Sequence, residues 1–286
     1  MSYNYLEKEA IQHFIAQALK EDIGSGDHSS LASIRQDTNN KAELIIKGDG
    51  ILAGVEMAKY IFNYIDPDLI VTVLKEDGDR VKKGDIGLTV EGKAISILTA
   101  ERLVLNCMQR MSGIATYTAE MSSLIAHTST KLLDTRKTTP NFRIAEKWAV
   151  KIGGGKNHRF GLFDLIMLKD NHNDFAGGIT AAVRATKNYL FANNLDLRIE
   201  VETRDLEEVN EALATNTVDI IMLDNMSVVM MKEAVALIGD KCETEASGGI
   251  TEDTIVPIAE TGVNYISVGA LTHSYKSLDI SLKAVS

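Results

Sequence analysis

Cysteine is nearly absent: Cys107 and Cys242 are the only two in 286 residues, far apart and without CxxC spacing. That excludes a disulfide framework and a thiolate zinc site, and both read as ordinary buried thiols. Also missing is any apolar run approaching the ~18 residues that a membrane helix needs. The N-terminal MSYNYLEKEA is polar and acidic, unlike a secretory leader, so a cytoplasmic protein with no membrane partner is expected. Positive charge is scarce as well: 30 Lys and Arg face 40 Asp and Glu, for a net charge of −10. That balance argues against nucleic acid or an acidic membrane surface as a partner. With 45% hydrophobic and 24% charged residues, the chain reads as globular, with one large domain or two of ordinary size.

The scarce positive charge is gathered in one place. Residues 131–172 hold nine Lys or Arg against four Asp or Glu, an island of about +5 in an acidic chain. Apolar runs lead into it: Leu132-Leu133 into Asp134–Lys137, and Leu165–Leu168 into Lys169–His172. Cations at strand ends make a focused field suited to a small, multiply charged anion. Arg136, Lys137, Arg159 and Lys169 fit that reading, whereas Lys147, Lys151 and Lys156 read better as solvated charges on helix faces.

Upstream, residues 7–20 carry Ile11, Phe14, Ile15, Ala18 and Leu19 at helical spacing. The helix is expected to pass into a turn-rich loop, EDIGSGDHSS. From Lys41 to Ile97, glycine-broken alternation predicts short strands with a helix over Gly54–Ile65. The turns around EDGDRVKKGDIG resemble those of a lipoyl carrier. The candidate tip Val90–Lys93 lacks the apolar setting of a modified lysine, so a small α/β layer is the better reading. Thr99 is placed to cap a long helix, broken or kinked near Ser112-Gly113. Arg102 and Arg110 lie off its apolar stripe, as solvated charges or as groups facing an anion.

After Lys131 the pattern is strand, loop, helix, repeated. Strands are predicted at 131–134, 165–168, 198–201, 219–223, 242–246 and 265–268, with helices between them. Short alternating connections imply parallel strands with helical crossovers. Polar groups follow every strand, and a closed barrel brings all such ends to one mouth, whereas an open sheet gathers them only at its switch point. The barrel is therefore expected.

At that mouth Arg136, Lys137, His158, Arg159 and Lys169 can neutralise carboxylates or phosphates. Glu202 and Asp224 end neighbouring strands and offer hard oxygens to Mg²⁺; as structural ion pairs they would instead neutralise the cations. Ser247-Gly248-Gly249 precedes a helix, where backbone N–H groups can approach a phosphate, and Val268-Gly269-Ala270 follows the next strand. A metal-bound diphosphate, a terminal phosphate and a second polyanion would use all three sets. Phosphoribosyl transfer makes those demands.

LLDTRKTTP, GGGKNHRFGLFDLIMLKDNH, IEVET, IIMLDN, EASGGI and ISVGALTH, in this order, closely resemble the quinolinate phosphoribosyltransferases, the carboxylating nicotinate-nucleotide pyrophosphorylases. The likeness extends upstream through AERLVLNCMQRMSGIAT and EDIGSGDHSS. It implies an N-terminal α/β sandwich over 1–113, joined by a C-terminal helix at 274–286, and an α/β barrel of six to seven parallel strands over 114–273. It implies a pentosyltransferase that converts quinolinate and phosphoribosyl pyrophosphate (PRPP), with Mg²⁺, to nicotinate mononucleotide, diphosphate and CO₂ in NAD biosynthesis. Arg136, His158 and Arg159, with Thr135 beside them, would bind quinolinate. Arg102 would reach the same pocket from the second subunit of a homodimer, or of a hexamer built from such dimers. Lys137 and Lys169 would contact quinolinate or phosphates and support decarboxylation. Glu202 and Asp224 would hold ribose hydroxyls and Mg²⁺. Ser247, Gly248, Gly249, Ser267, Val268, Gly269 and His273 would bind phosphate. Two departures from the family pattern, Asn141-Phe142 in place of Gly-Leu and Trp148 in place of Tyr, bear on the motion of the loop after the first barrel strand. Rival readings are a nicotinate-specific or molybdenum-transport-associated enzyme of the same fold, a Schiff-base aldolase using Lys137 or Lys169, and a carrier protein.

Overall fold

The structure, a computed structural model, describes residues 5–285. They pack into two compact units, one gathering 120–136 and 155–270, the other the remaining described residues. In chain order the first elements are α1 (Lys8–Ile23), α2 (His28–Ser33), β1 (Asn39–Ile46), β2 (Gly50–Ile51), α3 (Val55–Ile65), β3 (Ile70–Val73), β4 (Arg80–Val81), β5 (Ile86–Lys93) and α4 (Ala94–Leu124). Then come β6 (Lys131–Leu133), α5 (Arg143–Ile152), β7 (Ile166–Leu168), α6 (Asp170–Ala176), α7 (Ile179–Ala192), β8 (Ile199–Thr203) and α8 (Leu206–Ala214). The chain ends with β9 (Ile220–Asp224), α9 (Val228–Ile238), β10 (Glu243–Ser247), α10 (Ile255–Ala259), β11 (Tyr265–Ser267), α11 (Ala270–His273) and β12 (Ile280–Val285).

The N-terminal unit is built on an antiparallel sheet in the order β12-β1-β5-β3. β12 corrects the helix expected at 274–286. Leu278, Ile280 and Leu282 are buried while Asp279 and Lys283 are exposed. That is a period of two, and Ile280 and Leu282 sit in register with Ile46 and Leu44 of β1. Val90–Lys93 lie inside β5, in register with Asn39–Ala42, so the carrier reading loses its hairpin tip. The loop expected from 21 onward is shorter than foreseen. α1 runs to Ile23, and Asp27 accepts the Ser30 N–H at 3.1 Å to start α2.

Two expectations for α4 are corrected. Thr99 is not its cap but an interior residue, with its hydroxyl donating to the Ile95 carbonyl at 2.8 Å. The helix is not broken at Gly113 but runs unbroken from Ala94 to Leu124. Gly113 is there because backbone crosses close by: a Cβ would stand 2.4 Å from the Lys276 carbonyl oxygen and 2.9 Å from Ser277 Cα. Gly113→Ala is expected to cost about 1–3 kcal/mol of stability through overpacking, a fall that a thermal melt would read. α5 brings a third correction. Lys147, expected as a surface charge, is fully buried, because it stands between Ile144 and Val150 on the stripe that α5 buries.

The other unit is a parallel sheet in the order β6-β11-β10-β9-β8-β7, and all six expected strands are present. A vestigial seventh lies beside β6, where the Lys156 N–H donates to the Leu132 carbonyl at 2.8 Å and accepts Asp134 N–H on its own carbonyl at 3.1 Å. Three glycines precede Lys156, so no apolar alternation marks this strand in the sequence. Residues in register share a face. Ile199, Val201, Ile221, Leu223, Ala246 and Ile266 form the apolar set. The opposite set mixes Ile220 and Met222 with Glu200, Glu202, Asp224, Glu243, Glu245 and Ser247, and it carries the acidic groups of the site. Where the strands begin, Tyr265 Oη donates to Glu243 at 2.7 Å, and Arg198 pairs with the same carboxylate.

Candidate active site

The barrel unit's site is built from the residues that leave the strand ends. Asp134, directly after β6, is fully buried. It accepts the His158 N–H at 2.9 Å and Asn157 Nδ2 at 2.6 Å, and so pins the segment after the vestigial strand. The His158 ring turns inward: Nε2 lies 3.0 Å from Glu200 Oε2 and 3.4 Å from Glu245 Oε2. Its Nδ1 accepts the Arg159 N–H at 2.7 Å. Burial opposes a charge on this ring, but hydrogen bonds to Glu200 and Glu245 outweigh it and hold the pKa up at about 10. Burial, reinforced by Glu245, pushes the Glu200 carboxyl above its usual range. The trio is close enough to suggest a metal site. However, Nε2 carries the proton both in the imidazolium and in the neutral form whose Nδ1 accepts from Arg159. It has no lone pair to give, and the trio is an ion cluster. Both ring nitrogens of His158, expected on a substrate carboxylate, are directed at protein groups.

Above this cluster stand two guanidinium groups. Arg159 donates to the Leu165 carbonyl at 3.2 Å. Its pKa is lowered first by burial and next by the like charge of Arg136. Arg136 and Arg159 are thus within electrostatic reach of one another, and Thr135 lies half-buried just before Arg136.

A second group forms where β7, β8 and β9 end. Lys169 Nζ lies 3.8 Å from Glu202 Oε2. Burial pushes the Glu202 carboxyl up, Lys169 pulls it down and Asp224 pushes it up again. The three residues are brought together as expected from the sequence. A carboxyl raised by burial and by a neighbouring carboxylate fits a divalent cation, which would relieve both the repulsion and the burial cost.

After β10, Gly248 adopts φ +103° and Gly249 φ +59°, in the left-handed region that favours glycine. A Cβ on Gly248 would meet Asn225 Oδ1 at 2.2 Å, whereas one on Gly249 would meet nothing within 4 Å. The turn is therefore closed on one side and open on the other. After β11, Ser267 and Val268 are buried and Gly269 is half-buried. The Val268 N–H donates to the Leu133 carbonyl at 3.0 Å, so it ties β11 to β6 and is not offered to a phosphate.

Arg102, Lys137 and His273 belong to the other unit. Arg102 is exposed on α4. Lys137 and His273 line one cavity of about 540 Å³ together with Arg110, Thr138, Thr139 and Thr272.

The sequence profile of the quinolinate phosphoribosyl transferase C-terminal domain matches residues 114–283, and that of the N-terminal domain matches residues 27–112. The chain belongs to the quinolinate phosphoribosyltransferase family. A relative from Nicotiana tabacum, named quinolinate phosphoribosyltransferase [decarboxylating] 2b, mitochondrial, is 50% identical over 281 residues, covering 93% of this chain and 80% of its own. A Bacillus subtilis relative, named probable nicotinate-nucleotide pyrophosphorylase [carboxylating], is 42% identical over 98% of this chain and 94% of its own. The solved nicotinate-nucleotide pyrophosphorylase from Francisella tularensis superposes with a TM-score of 0.91 at 40% identity, covering 100% of this chain and 99% of that one. No helix of the described residues is long and apolar enough to cross a membrane.

Three site residues of this family member were given no role on sequence grounds: Asp134, Glu200 and Glu245. The signal for two of them was available. With a period of two, Glu200 shares a strand face with Glu202, and Glu245 with Ser247. Asp134 could not be told from its polar neighbours, since burial alone separates it from Thr135 and Arg136. The departure at Asn141 also has a cause. Its φ of +61° is in the left-handed region, where asparagine is among the better tolerated residues after glycine.

Proposed function

We propose that the barrel mouth of this chain carries out the reaction for which its relatives are named, decarboxylating transfer of phosphoribosyl from PRPP to quinolinate, giving nicotinate mononucleotide, diphosphate and CO₂. The observation that supports the reading is the pair Arg136 and Arg159, two half-buried like charges within electrostatic reach of one another after the first strand and the vestigial one. Such a pair is costly alone and is stabilised by a dianion with adjacent carboxylates, each accepting from one planar fork. Glu200 faces the same charges, since the Arg159 guanidinium acts on its carboxyl.

Lys169, Glu202 and Asp224 take the ribose donor. The two carboxylates hold ribose hydroxyls and a magnesium ion, which when bound would screen the charge of the diphosphate leaving group. The open side of Gly248-Gly249, with Ser247 and the Ser267–Gly269 turn, takes a phosphate. Lys137 and His273, which line one cavity, take further phosphate charge of the donor. Once the ring nitrogen carries the ribose, loss of CO₂ leaves an electron pair on the adjacent ring carbon. Lys169 and the two guanidinium groups lower the cost of that charge before solvent protonates the carbon. Ultraviolet detection of nicotinate mononucleotide, with CO₂ release from quinolinate, PRPP and Mg²⁺, tests the reading. Turnover of nicotinate without CO₂ would replace it with the nicotinate-specific one.

Arg102 serves the quinolinate pocket of a second copy, in keeping with its exposure on α4. Assayed with quinolinate near the parental KM, Arg102→Ala and Arg136→Ala are each expected to be nearly inactive. Mixed and allowed to exchange subunits, they should regain roughly a quarter of parental activity, because half the dimers are mixed and each has one intact site. No recovery on mixing would place Arg102 outside a shared site.

A further inference from the structure

The loop that carries Lys137 is fastened at several points by groups of its own unit. Thr272 Oγ1 donates to the Lys137 carbonyl at 2.9 Å, and Arg143 Nε donates to Thr138 Oγ1 at 2.9 Å. Arg110 is at the centre of the remaining contacts. Its Nη2 donates to Thr139 Oγ1 at 2.9 Å and to Glu146 Oε1 at 3.2 Å, while the Thr139 N–H donates to Glu146 Oε2 at 2.9 Å. The guanidinium carbon stands 5.2 Å from the centroid of the Phe142 ring and 5.5 Å from that of Tyr275. Phe142 is backed in turn by Phe14, with centroids 5.6 Å apart.

Glu146 is fully buried on α5 and Arg110 is rooted in α4, so the loop between β6 and α5 is tied to two rigid helices. The cavity over this loop is lined by Lys137, Thr138, Thr272, His273 and Arg110 itself. Arg110 already has a carboxylate, a hydroxyl and two ring faces. Its geometry is that of a brace.

We propose that Arg110 is a positioning residue for Lys137: with Glu146 as its counter-ion and Phe142 and Tyr275 as its platforms, it holds loop 137–142 so that Lys137 stands over the cavity it shares with His273. The functional half of this statement rests on the assignment of Lys137 to the donor's phosphates. The brace itself does not. A point charge cannot replace the arginine, because a single ammonium lacks the planar fork that reaches Thr139 and Glu146 while stacking on two rings.

Arg110→Lys keeps a cation beside the buried Glu146, and Phe142→Leu leaves every charge in place, so both variants separate bracing from simple misfolding. Amide hydrogen exchange over residues 138–142 in the full chain is expected to rise at least roughly tenfold in both, as the loop's local opening becomes easier. KM for PRPP should rise roughly tenfold, with KM for quinolinate within about twofold and kcat within about threefold, since only the placement of one donor-binding group is loosened. Unchanged exchange in both variants would overturn the brace. Faster exchange with an unchanged KM for PRPP would show a merely structural contact and overturn the positioning role. Lys137→Ala, measured alongside, tests the underlying assignment independently: an unchanged KM for PRPP there would remove Lys137 from the donor site even where the exchange result stands.

Discussion

Replacing Arg136 by alanine is expected to raise KM for quinolinate about 100-fold while leaving KM for PRPP within about twofold, from the loss of about 3 kcal/mol at a buried charge pair. Quinolinate presents two adjacent carboxylates, and the proposed function assigns to them the half-buried Arg136 and Arg159, whose charges act on one another. With Arg136 gone, one carboxylate would enter a half-buried site without a partner while Glu200 and Glu245 lie behind it. Arg136→Lys keeps the charge but loses the fork, so an intermediate rise of roughly tenfold is expected. Steady-state kinetics with each substrate varied in turn reads the split. Equal changes in both KM values would mean that Arg136 serves the site's general field rather than the dicarboxylate.

Gly248→Ala is expected to lower kcat/KM for PRPP about 100-fold, because a displacement near 1 Å in a positioning group can cost that much. The substitution strains a φ of +103° and drives a Cβ to 2.2 Å from Asn225 Oδ1. Asn225 cannot move alone. Its Nδ2 donates to Asp224 Oδ2 at 2.7 Å, and its own N–H donates to the Ser247 carbonyl at 2.9 Å. An added methyl therefore disturbs the phosphate turn and a carboxylate of the ribose and magnesium site together. Equilibrium binding of quinolinate alone should stay within about twofold of the parent, since the turn is assigned to the donor and not to the dicarboxylate. A variant with kcat/KM for PRPP within threefold would sink the assignment of the turn to the donor. Gly249→Ala is the natural comparison, since a Cβ there meets nothing within 4 Å and only backbone strain of about 1–2 kcal/mol remains.

The sequence by itself determined the elements and their order. Apolar runs marked β6, β7, β9 and β11, because a parallel strand covered on both faces is mostly apolar, while the strand–loop–helix rhythm placed β8 and β10, which interleave Glu with other residues. The basic island located Arg136, Arg159 and Lys169, because cations are rare enough in this chain for their clustering to stand out. The seventh strand was not legible, since two hydrogen bonds beside glycines leave no side-chain pattern to read. The C-terminal strand was legible, since Leu278, Ile280 and Leu282 alternate with Asp279, Ser281 and Lys283 at a period of two; the helix expected there came from the family resemblance and not from the residues.

Burial was left to the tertiary structure, and burial is what separated the charges. Lys147 and Lys151 are both lysines on α5, yet one is fully buried and the other exposed, because helix rotation relative to the core is not written in the residue itself. Glu200 and Glu202 are alike in sequence, yet one closes on His158 in the interior and the other meets Lys169 at the rim. Arg110 reads from its spacing first as a solvated charge and second as an anion site, until α5 brings Glu146 against it. The sequence states which charges exist. Only the packed chain sets which are desolvated and which face one another, and electrostatic energy depends steeply on both.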